Sequence, residues 1–234
     1  MPDAVLSAAP AATTISVQGQ LDALQAERNA TWTPEQLEAH AALRRSLVEE
    51  AGKRRLVQVG DLVAPFSLPE VDGGRVVLAD LLETGPVVLV FFRFEACPAC
   101  NAAWRGYRET LAPALRDLGA HLVAVSPQVA SKLGAIKHRL ELDFLVASDP
   151  ESTLIHRFGI GFAPPESERE QLRQEGKDLG DILGAGHWEL PYPTAVVIGR
   201  DRVVRFADVH PDWMVRTESA TIIDAVRAIS SDAG

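Results

Sequence analysis

The chain has 234 residues, 47% of them hydrophobic, and a formal net charge of −9. That is enough apolar material for one domain of moderate size with an extension, and acidic residues scattered along the chain exclude binding to nucleic acid or an anionic membrane surface through bulk charge. The first residues lack a basic stretch and an apolar stretch of signal-peptide length, and no apolar run approaches the span of a bilayer, so the cytoplasm is the expected compartment.

Residues 1–15 are rich in Ala, Thr, Ser and Pro without periodicity, and disorder is expected there. Val17, Leu21 and Leu24 recur at helical spacing. Thr33-Pro34-Glu35-Gln36 then starts a second helix, with an N-cap hydroxyl, Pro at the first position and Gln completing a capping box. These two helices form a helical extension over 16–56, ending near the charged Lys53-Arg54-Arg55, and the main domain is expected over 57–232.

Within it, Phe66-Ser67-Leu68 and Arg75-Val76-Val77-Leu78 flank Asp72-Gly73-Gly74, a hairpin signal. Val87 to Phe92 runs without polar interruption, as a strand buried on both faces requires. Trp104, Tyr107, Leu111, Leu115 and Leu118 line one side of a long helix, and Pro113 inside it predicts a kink. Strand, helix, strand and helix follow at 121–126, 128–140, 143–147 and 150–158, the last closing at Gly159; this alternation predicts an α/β sheet. Pro164-Pro165 opens a charge-dense segment that reads as a lid inserted over 164–187. A second hairpin at 194–206 and a C-terminal helix carrying Ile222, Val226 and Ile229 complete the chain.

The chemistry concentrates where the apolar strand ends. Both cysteines, Cys97 and Cys100, stand three residues apart at a strand-to-helix junction. A pair this close in a chain this size is not a secreted-type disulfide framework; it points to redox catalysis or metal binding. With Pro98 in the first helical turn, the Cys97 sulfur lies beside unpaired backbone N–H groups at the positive end of the helix, where thiolate is favoured. Cys100, one turn on, faces the same side, so Cys97 attacks and Cys100 resolves. Arg93 would favour the thiolate, and Glu95 would oppose it if it points at the sulfur. Zinc would need two further ligands, and the six histidines show no paired spacing, so neither metal nor cofactor is expected. His187, beside Trp188, is the histidine with a candidate site role. Pro193-Thr194, entering a strand, does not by itself tell a cis bond from a trans one.

Over about residues 57–230 the chain resembles the thioredoxin-fold peroxiredoxin superfamily, the alkyl hydroperoxide reductase and thiol-specific antioxidant group. The resemblance is carried by Val59-Gly60-Asp61-Leu62-Val63-Ala64-Pro65-Phe66, by Val87 to Cys100, by Val123-Ala124-Val125-Ser126-Pro127-Gln128, and by Ser148-Asp149-Pro150 ahead of His156-Arg157-Phe158-Gly159. The helical extension is similar to that of the subgroup with a Cys-Pro-x-Cys site. The resemblance implies a mixed central sheet flanked by helices, Cys97 as peroxidatic and Cys100 as resolving cysteine, and Tyr192-Pro193 as a cis-proline loop against the sulfur. Phe94, Trp104 and Thr194 join Tyr192 and Pro193 as expected substrate contacts.

Two positions depart from that pattern, Val90 and Phe94 standing where the family has Pro and a peroxide-orienting Thr; Arg93 is the candidate for an otherwise unmatched activating arginine. The implied activity is hydroperoxide reduction through a Cys97 sulfenate that Cys100 converts to an intramolecular disulfide. The alternatives are a thiol-disulfide oxidoreductase acting on protein or small disulfides and a redox sensor without turnover. The implied partners are a hydroperoxide or disulfide, an external dithiol reductant of thioredoxin or glutathione type, and a second copy in a homodimer.

Overall fold

The computed structural model describes residues 16–176 and 178–231, so the expectation for residues 1–15 lies outside the described residues. The first helix, α1 (Val17–Thr31), starts on Ser16, whose Oγ accepts from the Gly19 N–H at 2.9 Å. The second, α2 (Pro34–Ala51), starts on the capping box read from the sequence: Thr33 Oγ1 accepts from the Gln36 N–H and Gln36 Oε1 accepts from the Thr33 N–H. Each bond satisfies a donor that a helix start leaves unpaired.

A short antiparallel hairpin follows, β1 (Ser67–Pro69) with β2 (Arg75–Val77), turning through Gly73 and Gly74 at φ of 108° and 76°. Leu78 does not extend β2; it opens α3 (Leu78–Thr84), with Leu78 and Leu82 buried. Next come β3 (Val87–Phe91) and α4 (Pro98–Gly106). The kink expected at Pro113 takes the form of a change of helix type. Pro113 has no N–H for the Glu109 carbonyl, and a π-helical turn over Tyr107–Leu111 leads into α5 (Ala112–Asp117). The chain continues through β4 (His121–Ser126), α6 (Ala130–Arg139), β5 (Leu145–Ser148) and α7 (Thr153–Arg157). After β6 (Gly161–Phe162) come α8 (Glu166–Gln174), α9 (Leu179–Leu183), β7 (Leu190–Pro191), β8 (Thr194–Ile198), β9 (Val204–Val209) and α10 (Ser219–Ser231).

The five-stranded sheet has the order β5-β4-β3-β8-β9. β3, β4 and β5 are parallel, whereas β8 runs antiparallel to both β3 and β9. This is the mixed sheet flanked by helices, preceded by a helical segment, that the resemblance implies. Every residue of β3 is buried, which is why its sequence reads as an unbroken apolar run. The chain leaves β3 at its carboxyl end beside that of β4, the edge of a parallel sheet where ligand sites collect. β6 and β7 pair over two residues each, and the segment read as an inserted lid runs between them. Among the described residues no helix is long and apolar enough to cross a membrane.

Candidate active site

The loop from β3 to α4 is held from outside. Ser126 Oγ donates to the Arg93 carbonyl at 2.9 Å, the Glu95 N–H donates to Gln128 Oε1 at 2.9 Å, and Asn101 Nδ2 donates to the carbonyls of Glu95 and Cys97. Cys97 is the N-cap of α4, Pro98 opens the helix, and the Cys97 sulfur accepts from the Cys100 N–H at 3.4 Å. Arg93 Nη2 donates to the same sulfur at 3.0 Å, and the Cys100 thiol lies 2.8 Å from it. Arg216, from the loop before α10, brings Nη2 to 3.9 Å from the Cys100 sulfur.

Both thiols are free and buried, with Cys97 0% and Cys100 1% exposed. Burial pushes a thiol up, and at Cys97 this is overcome by the Cys100 thiol, Arg93, the Cys100 N–H and Arg216, leaving its pKa well below the ordinary value. At Cys100 burial and the charge on Cys97 act together and hold the thiol protonated, well above the ordinary value. Within the pair, Cys97 is therefore the thiol that gives up its proton first. Glu95 does not oppose it: its carboxylate is answered by Arg139 Nη2 at 3.1 Å.

A roof closes over the sulfurs. Arg28 of α1 is 7% exposed, with Nη1 3.1 Å from Met214 Sδ and its guanidinium over the Trp32 ring at 4.9 Å. Among the described residues no carboxylate pairs with it. The Arg93 guanidinium lies over Trp213 at 4.9 Å and over Phe94 at 5.8 Å. A cavity of about 190 Å³ approaches Arg93 and Phe94 from outside, lined also by His40, Leu179, Leu190 and Trp213.

Of the residues singled out from sequence, Cys97, Cys100 and Arg93 meet directly, and Phe94 lines the cavity. Trp104 does not. It packs against Phe92, Tyr107 and Phe144 at 5.2, 5.5 and 5.6 Å, one member of the buried helical stripe to which it belongs. Tyr192 is stacked on Phe162 at 5.2 Å and 10°, so it backs a cavity wall through Phe162 and makes no hydrogen bond to either sulfur. Its carbonyl accepts from Thr194 Oγ1 at 2.9 Å, and the Pro193 carbonyl accepts from the His210 N–H at 2.8 Å. Those bonds fix the entry to β8, and the Tyr192–Pro193 bond is trans, since the described residues contain no cis peptide; the cis-proline expectation is corrected. His187 serves the loop, its Nε2 bonded to the Pro150 carbonyl at 2.8 Å and its Nδ1 accepting from the Glu189 N–H.

Arg28, His40, Trp213 and Arg216 went unread because they come from α1, α2 and the loop before α10, far from the cysteines in sequence. The one local signal was Trp213, a large aromatic in a polar loop. Among the described residues no group of three or more His, Cys, Asp or Glu side chains is placed to hold a metal ion.

Residues 59–207 match the family model described as AhpC/TSA family. The chain is 31% identical over 104 residues to a putative peroxiredoxin of Mycobacterium tuberculosis, an alignment spanning 44% of this chain and 67% of the relative. It is 30% identical over 105 residues to peroxiredoxin Bcp of Escherichia coli, spanning 44% of this chain and 65% of that protein. The chain thus spans about two thirds of the length of these relatives. Among solved structures it resembles peroxidoxin BcpB of Mycobacterium tuberculosis, with a TM-score of 0.58 at 24% identity over 75% of this chain and 99% of that one. AhpC of the same organism has a TM-score of 0.58 at 13% identity, covering 76% of this chain and 95% of that one. At these identities the two structures speak for the fold.

Proposed function

The chain belongs to the AhpC/TSA family, and from that premise we propose a thiol peroxidase of the Cys-Pro-x-Cys subgroup that reduces hydroperoxides with Cys97 and Cys100. The Cys97 thiolate attacks the terminal oxygen of ROOH: an S–O bond forms, the O–O bond breaks, and the departing RO⁻ takes a proton to become ROH. Cys97 is left as sulfenic acid, oxidised by two electrons. The Cys100 sulfur then attacks the Cys97 sulfur, forming the disulfide and releasing water made from the hydroxyl and the Cys100 proton. An external dithiol of thioredoxin type returns both thiols and is itself oxidised to a disulfide.

One observation carries this reading: two buried cysteine sulfurs 2.8 Å apart, the Cys97 sulfur also 3.0 Å from a guanidinium. Nucleophile, resolving group and cation for the developing negative oxygen all lie within contact of one another. Arg216 extends the positive field to Cys100. We place the reaction in the cytoplasm, where a dithiol supply keeps such a pair reduced, and assign it to residues 57–232, with 16–56 as an extension over the site and 164–187 as an insertion beside it.

Mixing the reduced protein with a stoichiometric hydroperoxide in a stopped-flow instrument tests it. Wild type should consume peroxide orders of magnitude faster than a free thiol, Cys97→Ser should not react, and Cys100→Ser should react once and stop at a sulfenic acid that a dimedone-type trap captures. A wild-type rate no better than a free thiol would remove the reading.

A further inference from the structure

The cavity leading to Arg93 holds polar atoms that these steps do not use. His40 enters it from α2, its ring held edge-on between Trp32 at 5.1 Å and Trp213 at 4.9 Å. His40 also lines a wider cavity of about 420 Å³ that reaches Trp32, Gln36 and Glu175, with Leu43 and Leu172 common to both. Its ring nitrogens make no hydrogen bond to any described residue. Two further nitrogens beside it, Arg93 Nε and Trp213 Nε1, are buried without a partner. The rest of the inner lining is apolar, chiefly Leu43, Phe94, Phe162, Leu179 and Leu190. Unused polar atoms gathered in an otherwise apolar cavity mark a ligand site.

The kind of polar atom decides the role. A hydroperoxide must donate one O–H and accept at its oxygens. Arg93 carries donors only, as does the indole of Trp213, and Phe94 carries neither donor nor acceptor. Among the described residues that line the inner cavity, His40 is the only side chain with an acceptor atom. It is kept in the form that has one: burial, followed by Arg28, Arg44 and Arg93, outweighs Asp212 and lowers its pKa from 6.5 to about 4.

We propose that His40 is the substrate-orienting residue of this site, its imidazole accepting the O–H of the hydroperoxide while Arg93 donates to the peroxide oxygens. The terminal oxygen is thereby presented to Cys97, and the organic part of the substrate lies against the apolar lining. The chemical step is unchanged: the hydroxyl passes to sulfur with its proton, and the departing RO⁻ takes a proton from water. The proposal rests on the peroxidase reading. Because His40 is uncharged, replacing it leaves the field at Cys97 as it was.

The test compares wild type, His40→Phe and His40→Gln in two reactions of the reduced protein: oxidation by cumene hydroperoxide, and alkylation of Cys97 by iodoacetamide across pH. Alkylation needs the thiolate and no peroxide orientation. His40→Phe keeps a ring between the two tryptophans and should lose on the order of tenfold to hundredfold in peroxide rate, with alkylation and its pH midpoint unmoved. His40→Gln, which restores an acceptor, should recover part of the loss. A His40→Phe protein that matches wild type with peroxide overturns the proposal alone, and so does a parallel loss of alkylation, which would place His40 at the thiol. A wild-type rate no better than a free thiol overturns the peroxidase reading and this proposal with it.

Discussion

At the Cys97 sulfur donors and cations outweigh burial and favour the thiolate, and the Arg93 guanidinium at 3.0 Å is the nearest of the cations. Arg93→Met, of similar length and without charge, should raise the thiolate midpoint by about 1–2 pH units, from a charge-assisted hydrogen bond worth about 1.5–3 kcal/mol. The sign follows from the reactive form. With the midpoint raised, less thiolate exists at neutral pH, so the peroxide rate falls there and approaches wild type as the medium becomes alkaline. Titration of thiolate absorbance alongside the rate checks this; a midpoint that stays put would show that Arg93 acts only on the peroxide. The sulfurs and Arg93 were legible in sequence because they lie within eight residues of each other, and a strand-to-helix turn brings such neighbours together. His40 and Arg28 were not. Only tertiary packing carries their helices to the cysteines, and in a helix sequence nothing separates a buried Arg28 from the exposed Arg45 of its neighbour.

Elements with a local cause were readable, as the capping box of α2, the Gly73-Gly74 turn and the apolar β3 illustrate. Others were not. α3 is seven residues long and begins with the apolar residue that ends a strand pattern, and Trp104 belongs to an apolar helical stripe that reads equally as core or site. One of the junctions that hold the N-terminal helices to the rest lies at Gly159. Gly159 has φ of +68°, and a Cβ there would sit 2.3 Å from the Arg55 carbonyl oxygen. Beside it the Val57 N–H donates to the Phe158 carbonyl at 2.8 Å and Arg54 Nη1 to the Gly161 carbonyl at 2.6 Å. Gly159→Ala should cost at least about 1–2 kcal/mol for the left-handed backbone, and more for the collision. Urea unfolding gives the loss, and faster amide exchange over residues 53–58 would locate it at this junction. A variant as stable as wild type would show that the chain there relaxes freely.

On the scale of the whole molecule, the roof poses a problem that electrostatics resolves. The cavity of about 190 Å³ reaches Arg93, which touches the Cys97 sulfur, and it is too small for a protein dithiol, which must reach sulfurs that are 0% and 1% exposed. In the reduced state the Cys97 thiolate is the anion that faces Arg93, Arg216 and, through α1, Arg28, for which no described carboxylate substitutes. Disulfide formation removes that charge and leaves the guanidinium groups close together in a region of low dielectric, where unpaired charge is costly. The element that carries a stranded charge should yield, and that is α1, whose buried residues are Val17, Leu21 and Arg28. Its start is tied to the C-terminal region through Glu218, which accepts from Ser16 Oγ and from the Val17 and Gln18 N–H groups. After one equivalent of hydroperoxide, amides of α1 and of residues 210–217 should exchange faster than in the reduced protein, while β3 and β4 stay protected. Arg28→Met removes one of the stranded charges and should narrow that difference. Identical exchange in the two redox states would overturn this redox-linked opening.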